Sequence, residues 1–163
     1  MKRGANIFWL LILFFESSIL HAQHSNPSTS LVKRVEFKHL TINQGLSHNS
    51  VMCTLQDRQG FMWFGTYDGL NKYDGYDFTI YKHNPLDSTS ISNSYITDMF
   101  EDRAGTLWIA TRDGLNQFDR GHNRFIRYLH EPNKPGSISH NTVNSIYQER
   151  SGRLWVGTAA GLN

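Results

Sequence analysis

Side chains able to do chemistry recur at matching places along the 163 residues. Asp57, Asp102 and Glu149 each stand three residues before a glycine, and such a series of acids raises the question of general acid–base work. Each opens a stretch of the form acid-x-x-Gly, in which a first-position carboxylate accepts backbone N–H groups and a fourth-position Gly takes positive φ. Turn capping therefore accounts for all three. His48 and His140 are equivalent in phase, with Asn93 at the position between them, which fits polar residues opening a repeated unit better than metal ligands. Cys53 is the sole cysteine, so no internal disulfide can form. No His-rich motif accompanies it, and it reads as a small apolar strand residue. Leu129-His130-Glu131-Pro132 has the His-Glu start of a phosphoacceptor box, but that box is helical, whereas Pro132 and Pro135 put this His in a connecting loop. Trp63, Trp108 and Trp155 have rings that can stack on sugars, yet their mid-strand positions suit core packing. No catalytic, cofactor-binding or metal-ligating set is expected.

What places these residues is a repeat. Trp63, Trp108 and Trp155 are separated by 45 and 47 residues. Gly60, Gly105 and Gly152, and then Gly69, Gly114 and Gly161, recur at the same two intervals. Self-similarity at this period signals units that bury their apolar faces only by stacking. Each unit reads as four short strands. In the first, Val51 to Gln56 places Val51, Cys53 and Leu55 on one face by its period of two. Phe61 to Thr66 follows, then Leu70 to Tyr73, then a strand from Phe78 to about His83 whose counterpart is Phe125 to Tyr128. Polar connectors at Asn84 to Ser90 and Glu131 to Ser137 cross to the next unit. The repeats span about 47–90, 91–137 and 138–163. The fold class is therefore all-β: a β-propeller piece of two four-stranded blades plus the first half of a third. A ring takes about four to eight blades, so further blades are expected beyond Asn163.

The phrase Asp-x-x-Gly-x-(Leu/Met)-Trp-(Phe/Ile/Val)-(Gly/Ala)-Thr, followed by Asp-Gly-Leu-Asn, resembles the two-component regulator propeller repeat. The likeness covers roughly Phe37 to Asn163. Glu149 and Ala160 replace the usual Asp in the third copy, which weakens the expected turns there. The resemblance implies the periplasmic sensor part of a hybrid histidine kinase of the kind common in Bacteroidetes. It also implies an oligosaccharide ligand, a homodimer in the full-length protein, and kinase and membrane segments that follow the propeller. Related propellers precede diguanylate cyclases, and a secreted propeller lyase or hydrolase is the alternative of a different class. A membrane span and kinase after the propeller would mark a sensor, whereas an acidic or His cluster at the channel of a closed ring would mark an enzyme.

Composition agrees with this reading. With 39% hydrophobic and 18% charged residues the chain is ordinary for a globular protein, and 13 Gly against 4 Pro suits strands and tight turns. The formal charge of +2 is too weak a field to suggest nucleic-acid binding. Lys2 and Arg3, the apolar run Ile7 to Phe15 and the small residue Ala22 have the layout of a secretory signal peptide over residues 1–22. As a helix that run reaches about 14 Å, short of the roughly 30 Å hydrocarbon core. Residues 23–34 read as a flexible linker. Residues 35–41 resemble the fourth strand of a blade without its first three, and are expected to close the ring as the outer strand of the final blade. N-terminal sequencing of the exported protein should begin at Gln23; an intact Met1 would refute cleavage. Deleting Glu36 to Leu40 from the complete domain should lower its melting temperature markedly, and an unchanged value would refute closure by this strand.

Overall fold

The computed structural model describes residues 35–163, so the signal peptide at 1–22 and the linker at 23–34 lie outside the described residues. Eleven strands form three antiparallel sheets among them. The first sheet is β1 (Val51–Gln56), β2 (Met62–Thr66), β3 (Gly69–Tyr73) and β4 (Phe78–Tyr81) in that order. The second is β5 (Ile96–Glu101), β6 (Leu107–Thr111), β7 (Gly114–Asp119) and β8 (Arg124–Tyr128). In the third, β10 (Leu154–Thr158) lies between β9 (Val143–Gln148) and the two-residue β11 (Gly161–Leu162). The third blade thus already pairs its third strand, one step past the half blade expected. Residues 35–40 are irregular, with Val35 and Phe37 exposed. Thr41, expected to end a strand, instead caps a single 3₁₀ turn, Ile42–Gln44, and exchanges a capping box with Gln44.

The repeated acids do more than cap turns. Asp57 Oδ1 accepts the N–H groups of Gln59 and Phe61, both at 3.0 Å, and its Oδ2 accepts the Trp63 indole N–H at 2.9 Å. Asp102 repeats this with Ala104, Thr106 and Trp108. One carboxylate therefore ties the first hairpin to the tryptophan in the middle of the second strand. Glu149 is one methylene longer. It still accepts the Trp155 indole N–H, at 3.1 Å, while its other oxygen takes the Ser151 hydroxyl in place of two backbone amides. The turn forms regardless, because Gly152 N–H reaches Glu149 O and Glu149 N–H reaches Arg153 O. Ala160 is equally harmless. Its N–H donates to Thr158 Oγ1, as those of Asp68 and Asp113 donate to Thr66 and Thr111. The turn depends on the threonine and not on the acid.

The face assignment of the first strand needs correction. Pairing of β1 shifts register between Val51 and Cys53, and the same bulge recurs between Ile96 and Asp98 and where Ser145 gives way to Val143. A bulge inserts a residue and turns later side chains to the other face. Ile96 and Met99 consequently join one apolar cluster with Trp63, Leu70, Leu107, Ile109 and Phe118, filling the space between the first two sheets. Cys53 and Leu55 enter that cluster from the first sheet, whereas Val51 is exposed on the opposite face. Ala110, Leu115, Val143, Ile146 and Val156 fill the space between the second and third sheets. Trp63 is wholly buried as expected for inter-blade core; Trp108 and Trp155 are half-buried. A Cβ on Gly65 would lie 2.6 Å from both Cys53 Sγ and Ile96 Cγ2, so the close approach of the first two sheets there demands glycine.

Polar ties set how each crossover enters its blade. Ser47 N–H donates to Asn71 Oδ1, Asn71 Nδ2 donates back to Ser47 Oγ, and Ser47 Oγ pairs with Thr66 Oγ1. Ser92, Asn116 and Thr111 repeat the set, as do Ser139, Asn163 and Thr158. These ties satisfy side chains that burial would otherwise penalise. Between blades, Arg120 bridges the buried Asp57 at 2.8 Å and Glu101 at 3.0 Å. Burial alone would raise the pKa of Asp57, but the indole, guanidinium and amide donors outweigh it and hold the carboxyl below its ordinary value. Asp102 is likewise lowered, burial being outweighed by the Trp108 indole and the Thr106 and Ala104 amides without a guanidinium. A carboxyl depressed in the folded state stabilises above its unfolded pKa, about 4, and that contribution is lost as pH falls through the folded value. Asp57→Asn would set an amide donor against the Trp63 and Arg120 donors. It should destabilise the chain by on the order of 2–4 kcal/mol and flatten the acid limb of its stability–pH curve. Equal urea midpoints for the two proteins from pH 7 to 3 would refute this role.

Candidate ligand-binding site

Crossovers into the first strands and the β2–β3 and β6–β7 turns emerge at the same end of the sheets, and the backbone joins them there. Tyr67 N–H donates to Ser50 O, Arg112 N–H to Tyr95 O and Ala159 N–H to Thr142 O. The residue in each turn is thereby held beside the residue that precedes each first strand. Local caps aim the latter. His48 Nδ1 accepts the Ser50 N–H and His140 Nδ1 accepts the Thr142 N–H, each at 2.9 Å, just as Asn93 Oδ1 accepts the Tyr95 N–H. The two histidines thus do what Asn93 does, which explains how one type replaces the other in phase. Accepting through Nδ1 leaves the proton of the neutral ring on Nε2.

At this end the bulge residues Met52, Thr97 and Asn144, one from each first strand, meet Tyr95, Thr142 and Arg112 around a cavity of about 480 Å³. All three blades contribute to its wall. Beside it runs a stack of flat groups. His48 lies over Tyr67 with centroids 5.6 Å apart, Tyr67 over Tyr95 at 4.6 Å, and the Arg112 guanidinium 3.8 Å above the Tyr95 ring. Such spacing is that of offset π stacking capped by a cation–π contact. Tyr95 raises the pKa of the neighbouring Tyr67 phenol above its ordinary value, and that phenol is neutral at physiological pH.

The residues singled out by the repeat lie elsewhere. Gly60, Gly105 and Gly152 sit in the first hairpins and Gly69, Gly114 and Gly161 open the third strands, all at positive φ. Trp63, Trp108 and Trp155 are bonded to their acids. None of these lines the cavity. Burial pushes the Cys53 thiol up to about 12, with Asp98 adding to the effect, so it is no nucleophile at neutral pH. His130 Nδ1 bonds to Ile138 O within the crossover, as His83 does to Ile91 O. Repeat searching passes over the cavity because the residues that line it, Met52, Thr97 and Asn144 from one phase, Tyr95 and Thr142 from a second and Arg112 from a third, differ between copies. Disagreement in phase does not single them out, since Cys53, Asp98 and Ser145, or Gln59, Ala104 and Ser151, differ as well and lie elsewhere; only the fold gathers the six.

The profile of the family described as "Two component regulator propeller" matches residues 45–68, 90–113 and 137–160. The three segments are two-component regulator propeller repeats. The extracellular domain of the hybrid two component system BT3049 from B. thetaiotaomicron is 34% identical with a TM-score of 0.69, over 77% of this chain and 19% of that one. That of BT4673 from the same organism is 28% identical with a TM-score of 0.64, over 79% and 18%. In sequence, "Histidine kinase P4" of Formosa agariphila is 44% identical over 90 residues, which is 55% of this chain and 6% of the kinase. The propeller repeats described here thus span under a fifth of each of these relatives. The expected fold class stands, and these two solved relatives are extracellular domains of hybrid two component systems.

Proposed function

We propose that this chain is ligand-recognition propeller of a periplasmic two-component sensor, and that it takes oligosaccharides in the cavity at the blade ends. The observation that carries the reading is that cavity: its size falls within the range of about 300–1,000 Å³ typical of small-ligand sites, and its wall is built from the in-phase positions that differ between repeats. Thr97, Thr142 and Asn144 offer hydroxyl and amide groups of the kind that hydrogen-bond sugar hydroxyls. In this reading residues 1–22 direct export, the full-length protein is anchored in the inner membrane and acts as a homodimer, and the histidine kinase lies in another part of it. A ligand that touches three blades at once favours the arrangement in which they are closely stacked. That differential contact is what a sensor needs to shift its output.

The side chain of Asn144 is exposed on β9 and packs in neither apolar cluster. Asn144→Trp should therefore fill the cavity while leaving the unfolding midpoint of the full-length protein within experimental error. Oligosaccharide binding measured by calorimetry should disappear, together with ligand-dependent autophosphorylation. Unchanged affinity in this variant would exclude the cavity as the site.

A further inference from the structure

Resting on the reading of the cavity as an oligosaccharide site, we propose that it selects acidic oligosaccharides, with Arg112 as the group that receives the carboxylate or sulfate. Among the described residues Arg112 is the one charged side chain lining the cavity. Among the described residues no carboxylate lies within ion-pair distance of it, although acids are close by in sequence and space. Asp113 is engaged by Asn141 Nδ2 at 2.9 Å and Asp68 by Lys82 at 2.6 Å. Asp98 accepts the N–H groups of Met99 and Ile146. The positive charge is thus left without an internal counter-ion at the edge of a cavity whose other residues are neutral.

The stack explains how such a charge is held ready. Arg112 lies over Tyr95, Tyr95 is stacked with Tyr67, and Tyr67 with His48. The Tyr95 ring is thereby engaged by both Arg112 and Tyr67, and it serves as a support for Arg112. A guanidinium held over a ring in this way keeps its in-plane N–H donors for other partners, and among the described residues none of those of Arg112 is hydrogen-bonded; such a fork matches two oxygens of a carboxylate or sulfate. Backbone bonds pin the same residue: its N–H donates to Tyr95 O at 3.2 Å, and its carbonyl accepts the Thr142 hydroxyl at 3.3 Å. Tyr67, Tyr95 and His48 act as positioning residues in this scheme.

The test is calorimetric titration of the full-length protein with matched pairs of probes: oligogalacturonate and its carboxyl-reduced form, and a sulfated galactan oligosaccharide and its desulfated form. At least one acidic member should bind about tenfold or more tightly than its neutral partner, the gain expected for one charge-assisted contact, and added salt should shrink the difference. Which acidic probe is preferred tells carboxylate from sulfate. Arg112→Gln should erase the preference, and Arg112→Lys, which keeps the charge but not the fork, should retain part of it. Equal or tighter binding of the neutral members would overturn anion selection while leaving the oligosaccharide site standing. So would a preference that survives Arg112→Gln, or full competition by inorganic sulfate at the same concentration. Absence of binding by every probe would overturn both readings.

Discussion

A small antiparallel sheet with apolar side chains on both faces has to be covered twice, and every other feature of this chain answers to that demand. The bulge near the start of each first strand turns Ile96 and Met99, or Val143 and Ile146, toward the preceding sheet. Strict alternation would have split each of these pairs between two faces. Glycine at position 65 lets the first two sheets approach closely enough for Ile96 to reach Cys53 across the gap. The same demand explains why the apolar residues segregate into two separate clusters, one per gap, and not into a single central core.

Burying a tryptophan in each gap brings an indole N–H into a place with little water, and the repeated acid supplies its partner. This couples two elements that a sequence shows separately, the hairpin turn and the mid-strand aromatic, into one unit. Glu149 shows which part of the device matters. Its longer side chain gives up the backbone amides but keeps the indole bond, and the turn survives because its own backbone bonds close it. The Ser-Asn-Thr ties at the other end of each blade do the same for the crossovers, so both ends of every blade are locked by side chains that recur in phase.

A frame locked in this way frees the remaining positions. The turn residue between the second and third strands is held through its own backbone N–H and by the preceding threonine, and not through its side chain, so the same turn accommodates Tyr67, Arg112 and Ala159. Arg112 from those positions, with the bulge residues Met52, Thr97 and Asn144 and with Tyr95 and Thr142 from before the first strands, lines the cavity. At this end of the blades constant and variable residues are neighbours: Thr66 and Thr111 hold the turns, and Tyr67 and Arg112 follow them directly.

The strands, the hairpin turns, the crossovers and the propeller class were legible in the sequence because the local chemistry is self-sufficient: acid-x-x-Gly dictates a turn whatever surrounds it, and a period near 45 residues has few structural solutions. The positions of Gly60, Gly105, Gly152 and the three tryptophans could be named on that basis alone. Tertiary structure decided the faces of the first strands, since a bulge is a property of pairing with β2, β6 or β10, and its one trace in the sequence is the apolar pair three residues apart, Ile96 with Met99 and Val143 with Ile146. It also decided the site. Tyr67 and Tyr95 are separated by most of a repeat, and only the stacking of one blade on the next brings their rings within 4.6 Å and seats Arg112 above them.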